Sequence, residues 1–364
     1  MTVAVARALA GASLVATCLA CTGSRKDPRA AEEESTRSVD AAVHQPAVSA
    51  PAVSAAPPPV HETGAAEMDA SPAPQRTTAL EVARVLFADA ADPAVHPWST
   101  ECAPALPEEA RIRCAFGVRY AGDPEAARLA HGLFVRHGVR AGVEVAHVMN
   151  GGYRGMIQIV PAVPTKQHRR HLAWIDAAFA DFEAFFEGLG RGDAGVPRYR
   201  FRPIDVRFMR SVRATTPNAY ASGWEVAYNL DGSINLSESA VRETMFHEIF
   251  HLNDTHHGEF SLKSLSRVYD AIVKRCGTRS PCLQPYSPGD TMVRNGTYYP
   301  FQPGNDVREY GAELAIRYYR EQRLAIRGEK VARPFKCGPR ENAEVWAAFA
   351  GEFFAGIDRI PACP

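Results

Sequence analysis

His247-Glu248-Ile249-Phe250-His251 carries the strongest chemical signal in the chain. On a helix, two histidines four residues apart lie one above the other, so both imidazoles can reach one zinc ion. Glu248 stands beside the first histidine and points to where a zinc-activated water would sit. A carboxylate there can take the water's proton and pass it to a leaving amine. The pattern has this meaning only on a helix. The flanking sequence SESAVRETMFHEIFHLND supplies one: Val241, Met245, Ile249 and Leu252 form an apolar stripe, with Ala240 fitting loosely. The plainer alternative is a pair of surface histidines on an ordinary helix.

A catalytic zinc needs a third protein ligand and an open position. Two residues compete for the role. Glu309 lies in Asp306-Val307-Arg308-Glu309-Tyr310-Gly311-Ala312-Glu313. Glu309 and Glu313 are four apart on a helical pattern, so their carboxylates face the same way. One can bind metal while the other accepts a hydrogen bond from a ligating imidazole. Gly311 and Ala312 between them would allow another helix to approach closely. The rival is His257, ten residues after His247, at the spacing of the HExxHxxGxxH motif. The glycine of that motif is replaced by Asp254, and Met292 is the only candidate for its Met-turn.

The pairing of FHEIFHLND with a later EYGAE helix resembles the gluzincin clan, most of all the catalytic domain of anthrax-lethal-factor-like metallopeptidases. The resemblance spans residues 223–320. It implies zinc bound by His247, His251 and Glu309, with Glu313 as an outer partner and Asp254 at the family's aspartate. It also implies a tyrosine that steadies the tetrahedral intermediate. At the family's spacing this chain has Gln302, so Tyr298 and Tyr299, slightly earlier, are the candidates. A peptide substrate would lie antiparallel to an edge strand near Trp224–Tyr228 or Ser233–Leu236.

Elements must exist to hold these groups. Helical periodicity starts near Ala79, runs again over Glu125–His137 behind Asp123-Pro124, and continues along His168–Leu189 with an aromatic face. Residues 107–116 fit helix or loop. Alternation predicts strands over Tyr153–Val163 and 199–209. Asp231-Gly232 suggests a hairpin joining Trp224–Tyr228 to Ser233–Leu236. Helices follow over Ser239–Asn253, Leu262–Lys274, Asp306–Arg327 and Asn342–Phe354. Residues 276–304 form a loop-rich excursion. Strands before helices predict an α+β fold: a small twisted sheet with an active-site edge strand packed on the HExxH helix, then a mainly helical C-terminal part. The expected catalytic core is 223–364, preceded by an N-terminal part over 79–222.

The start of the chain differs. Residues 8–20 are apolar and small, too short to span a bilayer but suited to an export signal over residues 1–21. Cys21 sits where a bacterial lipoprotein carries its lipid, although Cys18 occupies a position where an aliphatic residue is usual. Residues 22–78, rich in Ala, Pro and Ser, read as a disordered linker. Six cysteines remain beyond the signal, and their even number suits disulfides in an exported protein. The pairing with the shortest loops is Cys102–Cys114, Cys276–Cys282 and Cys337–Cys363. Formal net charge is zero, which gives no electrostatic reason to expect nucleic acid as a partner. The expectation is a zinc-dependent endopeptidase acting on protein or peptide, and touching membrane only through a lipid anchor. The alternative is a non-catalytic exported lipoprotein that keeps the HExxH helix as a zinc-binding or structural element.

Overall fold

A computed structural model describes residues 77–94, 96–150, 155–192, 195–293 and 296–364. They belong to the unit Pro72–Pro364. The expected export signal with Cys18 and Cys21, and the expected linker as far as residue 76, lie outside the described residues.

Local chemistry sets where the early helices start and stop. Thr78 and Glu81 form a reciprocal capping box at the start of α1 (Ala79–Leu86). The helices α2 (Trp98–Glu101) and α3 (Glu108–Arg119) follow. Asp123 caps α4 (Pro124–His137) by accepting from the Ala126 N–H, and Gly138 at φ 69° ends that helix. The long α5 (Arg169–Leu189) turns Phe179, Phe182 and Phe185 into the core. There Phe182 and Phe185 meet Phe246 of α6 (Glu238–His256) and Tyr319 of α9 (Val307–Ile326), with ring centroids 4.5–6.4 Å apart. Truncating one ring of such a cluster costs about 3–5 kcal/mol. Between α6 and α9 come α7 (Ser266–Cys276) and α8 (Ser280–Leu283), and α10 (Arg340–Phe354) is last.

Among the described residues the sheet has six strands: β1 (Val139–Val143), β2 (His147–Asn150), β3 (Met156–Pro161), β4 (Ile204–Ser211), β5 (Ala219–Ser222) and β6 (Glu225–Asn229). Its order is β2-β3-β4-β6-β5, with β1 paired to β4 on the same edge as β3. The β1–β4 and β4–β6 pairs are parallel, and the other pairs are antiparallel. In a flat sheet β2 and β5 would lie roughly 19 Å apart, at four strand spacings. Yet the rings of His147 on β2 and Tyr220 on β5 are 6.2 Å apart, with Tyr220 Oη 3.4 Å from His147 Nε2. The sheet therefore curls until side chains from its two end strands touch, with no pairing between those strands, and it wraps a small second core of Ile157, Ile159, Met209 and Ala227. The α+β class is as expected, with strands from both sides of residue 222 sharing one sheet.

One hairpin departs from expectation. Ser233–Leu236 is not a strand. It is a turn folded around Asn218, whose Oδ1 accepts from Ser233 Oγ and the Ile234 N–H at 3.2 and 3.1 Å. The partner of β6 lies upstream instead: β5, joined to it by Gly223-Trp224. Both residues have positive φ, 59° and 66°, as a type I′ turn demands. Glycine suits that conformation, whereas a tryptophan there costs about 1–2 kcal/mol. Consequently β6 is an interior strand, and β5 is the free edge.

Each expected cysteine pair is at bonding distance: Cys102–Cys114, Cys276–Cys282 and Cys337–Cys363. Protein made in an oxidising compartment should show no free thiol among these six when labelled under denaturing conditions. Two or more labelled thiols would contradict the pairing. Reduction should lower the melting temperature, since loops of this size contribute about 2–3 kcal/mol each. Among the described residues no helix is long and apolar enough to cross a membrane.

Candidate metal centre

Ser237 opens α6, its hydroxyl accepting from the Ala240 N–H at 3.2 Å. The helix is apolar on more than the expected stripe. Val241, Met245 and Ile249 are buried, and so are Phe246 and Phe250 on other faces. That is the pattern of a central helix rather than a surface one. Asn253, fully buried, clamps the strand-like segment before β4: its Oδ1 accepts from the Arg200 N–H and its Nδ2 donates to the Arg200 carbonyl, both at 2.7 Å. Asp254 ties the end of α6 to the next segment by accepting from the Ser261 N–H at 2.6 Å. Helix α9 then approaches where its side chains are small. A Cβ on Gly311 would overlap Ser261 Oγ and the Phe250 ring, so glycine is what allows the close crossing.

This crossing brings His247, His251 and Glu309 together, with one ligand atom from each within 4.8 Å of the others. The two Nε2 atoms are 3.2 Å apart. Glu309 Oε2 is 3.2 Å from His247 Nε2, and Oε1 is 3.6 Å from His251 Nε2. Ligands at tetrahedral corners around a metal about 2.05 Å away stand about 3.3 Å from each other. The triangle fits that spacing, and its donor set, two imidazoles and a carboxylate, is one that holds a metal ion and leaves a corner open. Glu313 Oε1 lies 3.6 Å from His247 Nδ1, on the far side of that ring.

The rival ligand is elsewhere. Because α6 continues through His256, residue 257 falls at its C-cap, about 15 Å along the axis from His247. There His257 Nδ1 is 2.6 Å from Glu352 Oε1, and its ring packs on Phe353. Without glycine at position 254 the chain does not turn back toward the metal group.

The candidate site opens into a cleft of about 660 Å3 between β5 and α6. Tyr299 lines it and donates to Glu309 Oε2 at 2.8 Å. Tyr298 does not line the cleft, and its ring packs against the core instead. Trp224 and Arg308 form parts of the rim. The sequence pattern places Trp224 at the start of the strand Trp224–Tyr228; it stands in the turn before β6 instead, and Gly-Trp is an unusual turn pair.

Electrostatics divide the carboxylates. Burial pushes Glu248 up to about 7, opposed by the charge of His247 and reinforced by that of Glu309. Burial acts on Glu309 too, but His247, His251 and the Tyr299 hydroxyl outweigh it and hold that carboxyl down to about 2. Burial also disfavours charge on His247, yet the Glu309 and Glu313 carboxylates keep it well above the usual histidine value. His251 is pushed down to about 4 by burial and by the neighbouring His247 charge.

No protein-family model, curated protein or solved structure matches the chain. The likeness to gluzincins accordingly rests on the motifs alone.

Two expectations follow from this geometry. Metal binding needs neutral imidazoles. In the metal-free chain near pH 7, His251 has already lost its proton while His247 retains one. Metal uptake should therefore expel about one proton, and affinity should rise about tenfold per pH unit until the raised His247 value is passed. Calorimetry in buffers of different ionisation enthalpy measures the proton count, and a value near zero would contradict the assignment.

The second concerns Gly289, where a Cβ would overlap the Glu313 carboxylate. The loop itself is held, by Ser287 Oγ on the Gly289 carbonyl at 2.7 Å and Asn342 Nδ2 on the Pro285 carbonyl at 2.9 Å. Gly289→Ala should thus displace the flexible Glu313 from His247. Metal affinity, measured against a chromophoric chelator, should fall about tenfold or more with little change in melting temperature. Unchanged affinity would remove Glu313 from the centre.

Proposed function

We propose that the chain is a zinc-dependent endopeptidase in which His247, His251 and Glu309 hold the metal and Glu248 carries the proton. The observation that carries this reading is Glu248 itself. It is a buried carboxylate in the cleft beside the three proposed ligands and is not one of them, and in the metal-free chain burial raises its proton affinity to about 7. Such a group can both accept and release a proton near neutral pH. The His-His-Glu donor set suits zinc and leaves a coordination position open.

When bound, zinc supplies a Lewis acid that polarises a carbonyl and makes water more acidic. The chain's own residues do the rest. Glu248 takes a proton from the attacking water and delivers it to the leaving amide nitrogen. Tyr299, whose single O–H is donated to Glu309 in the resting site, turns that donor to the carbonyl oxygen as negative charge grows there. The free edge of β5 offers unpaired backbone groups along the cleft, and an extended peptide can pair with them antiparallel. β5 replaces the two segments first expected to do this. Three disulfide pairs are compatible with an extracellular protein, and an export signal with a lipid anchor at Cys21 belongs to the same proposal.

Digestion of a broad peptide library by the zinc-loaded protein tests the reading. Internal cuts that vanish on chelation are expected. A library left intact by fully metallated protein would count against peptidase activity.

A further inference from the structure

The hairpin tip at the mouth of the cleft holds a residue its backbone does not favour. Trp224 sits at φ 66° in the second central position of the two-residue β5–β6 turn, where glycine is the usual occupant. A bulky residue in the left-handed region persists only when its surroundings hold it there, and such outliers concentrate at functional sites. The surroundings do hold it. The Arg200 guanidinium lies 3.8 Å from the centroid of the Trp224 ring. Arg200 is fixed in turn by both of its backbone hydrogen bonds to buried Asn253, on the helix that carries the metal ligands. The edge of the indole meets the His256 ring, centroids 5.7 Å apart at 67°. With one face on Arg200, the half-buried ring lines the cleft together with His256 and Leu252.

We propose that Trp224 and His256 form an aromatic subsite that selects peptides with a large apolar or aromatic side chain on the N-terminal side of the bond to be cut. The proposal rests on the peptidase reading and names its substrate class. Direction follows from strand polarity. Trp224 follows the C-terminal end of β5 and neighbours His256, about 7.5 Å along the helix beyond His251. A peptide antiparallel to β5 therefore passes its N-terminal part over Trp224 before reaching the metal. That distance is about two residues of extended chain. Trp224 is placed to read the side chain one or two positions before the cut, where a flat aromatic wall favours aromatic and large aliphatic groups over small or charged ones.

The test uses the full chain loaded with zinc, as wild type and as Trp224→Asn. Asparagine suits the left-handed position, so the variant should fold with a melting temperature close to wild type. Two matched peptides carry Phe or Ala at the selected position found by library digestion. Wild type should prefer the Phe peptide by about tenfold or more in kcat/KM, and the ratio should collapse toward one in Trp224→Asn. An absent preference, or one that survives in the variant, overturns the subsite. Binding of a peptide series in which a single Phe or Ala is moved along one constant sequence, chosen without reference to cleavage, to zinc-loaded Glu248→Gln, with and without Trp224→Asn, separates this proposal from the one beneath it. A Trp224-dependent preference for Phe in binding, without cleavage by wild type, upholds the subsite and rejects the peptidase. Equal binding of the Phe and Ala peptides throughout the series rejects the subsite.

Discussion

Glu309→Gln should strip the chain of most of its metal affinity, while His257→Ala should leave that affinity within about twofold. Glutamine preserves the size of the side chain but removes the negative charge from the one carboxylate among the three proposed ligands. The carboxylate is also prearranged: Tyr299 donates to it at 2.8 Å, and both of its oxygens stand 3.2–3.6 Å from the imidazole Nε2 atoms. Losing an outer partner of a ligand typically costs about 10–100-fold in affinity, and losing the ligand itself should cost more. His257 is bonded to Glu352 at the far end of α6, so its removal can lower stability without touching the metal. Competition against a chelator of known affinity gives both numbers. The reverse ranking would place the third ligand at His257 and require a different course for the chain after His251.

Glu248→Gln should keep the metal and the fold while peptide cleavage falls by orders of magnitude. The amide has nearly the same shape, so the packing of a side chain that is 8% exposed changes little. It cannot accept the water's proton or return one to the leaving nitrogen. General base and general acid roles each contribute typically about 10²–10⁴-fold, and one substitution removes both. Melting temperature and metal stoichiometry serve as controls. Equal cleavage by the two proteins would assign the activity to a different site. Retained zinc with no cleavage by either would favour a metal-binding protein.

The His247-His251-Glu309 group, which could hold a metal ion, was largely legible in the sequence because its information is local. HExxH places two imidazoles on one helical face by spacing alone, and the Glu309/Glu313 pair does the same on a second helix. What brings the helices together is also written locally, in Gly311 between the two carboxylates. Long helices read well for a similar reason. Asp123, Ser237 and Asp306 mark their starts, and the aromatic face of α5 marks what it buries. The sheet read poorly. Its strands are short, and β1 and β2 gave no clear alternation. The turn that decides its edge uses Gly-Trp, while the more turn-like Asp231-Gly232 only leads into α6. Trp224 breaks the local rule because Arg200 and Asn253, which hold it, lie more than twenty residues away on either side. Gly289 gave no signal either: its value is the space it leaves for a carboxylate from another element.

The most direct test of the account is a zinc titration read by activity. Protein stripped with a chelator should be folded and inert. Cleavage of a library-derived peptide should return linearly with added zinc and saturate at one equivalent per chain. Activity that survives complete removal of metal would contradict the account, as would one equivalent of bound zinc that restores none.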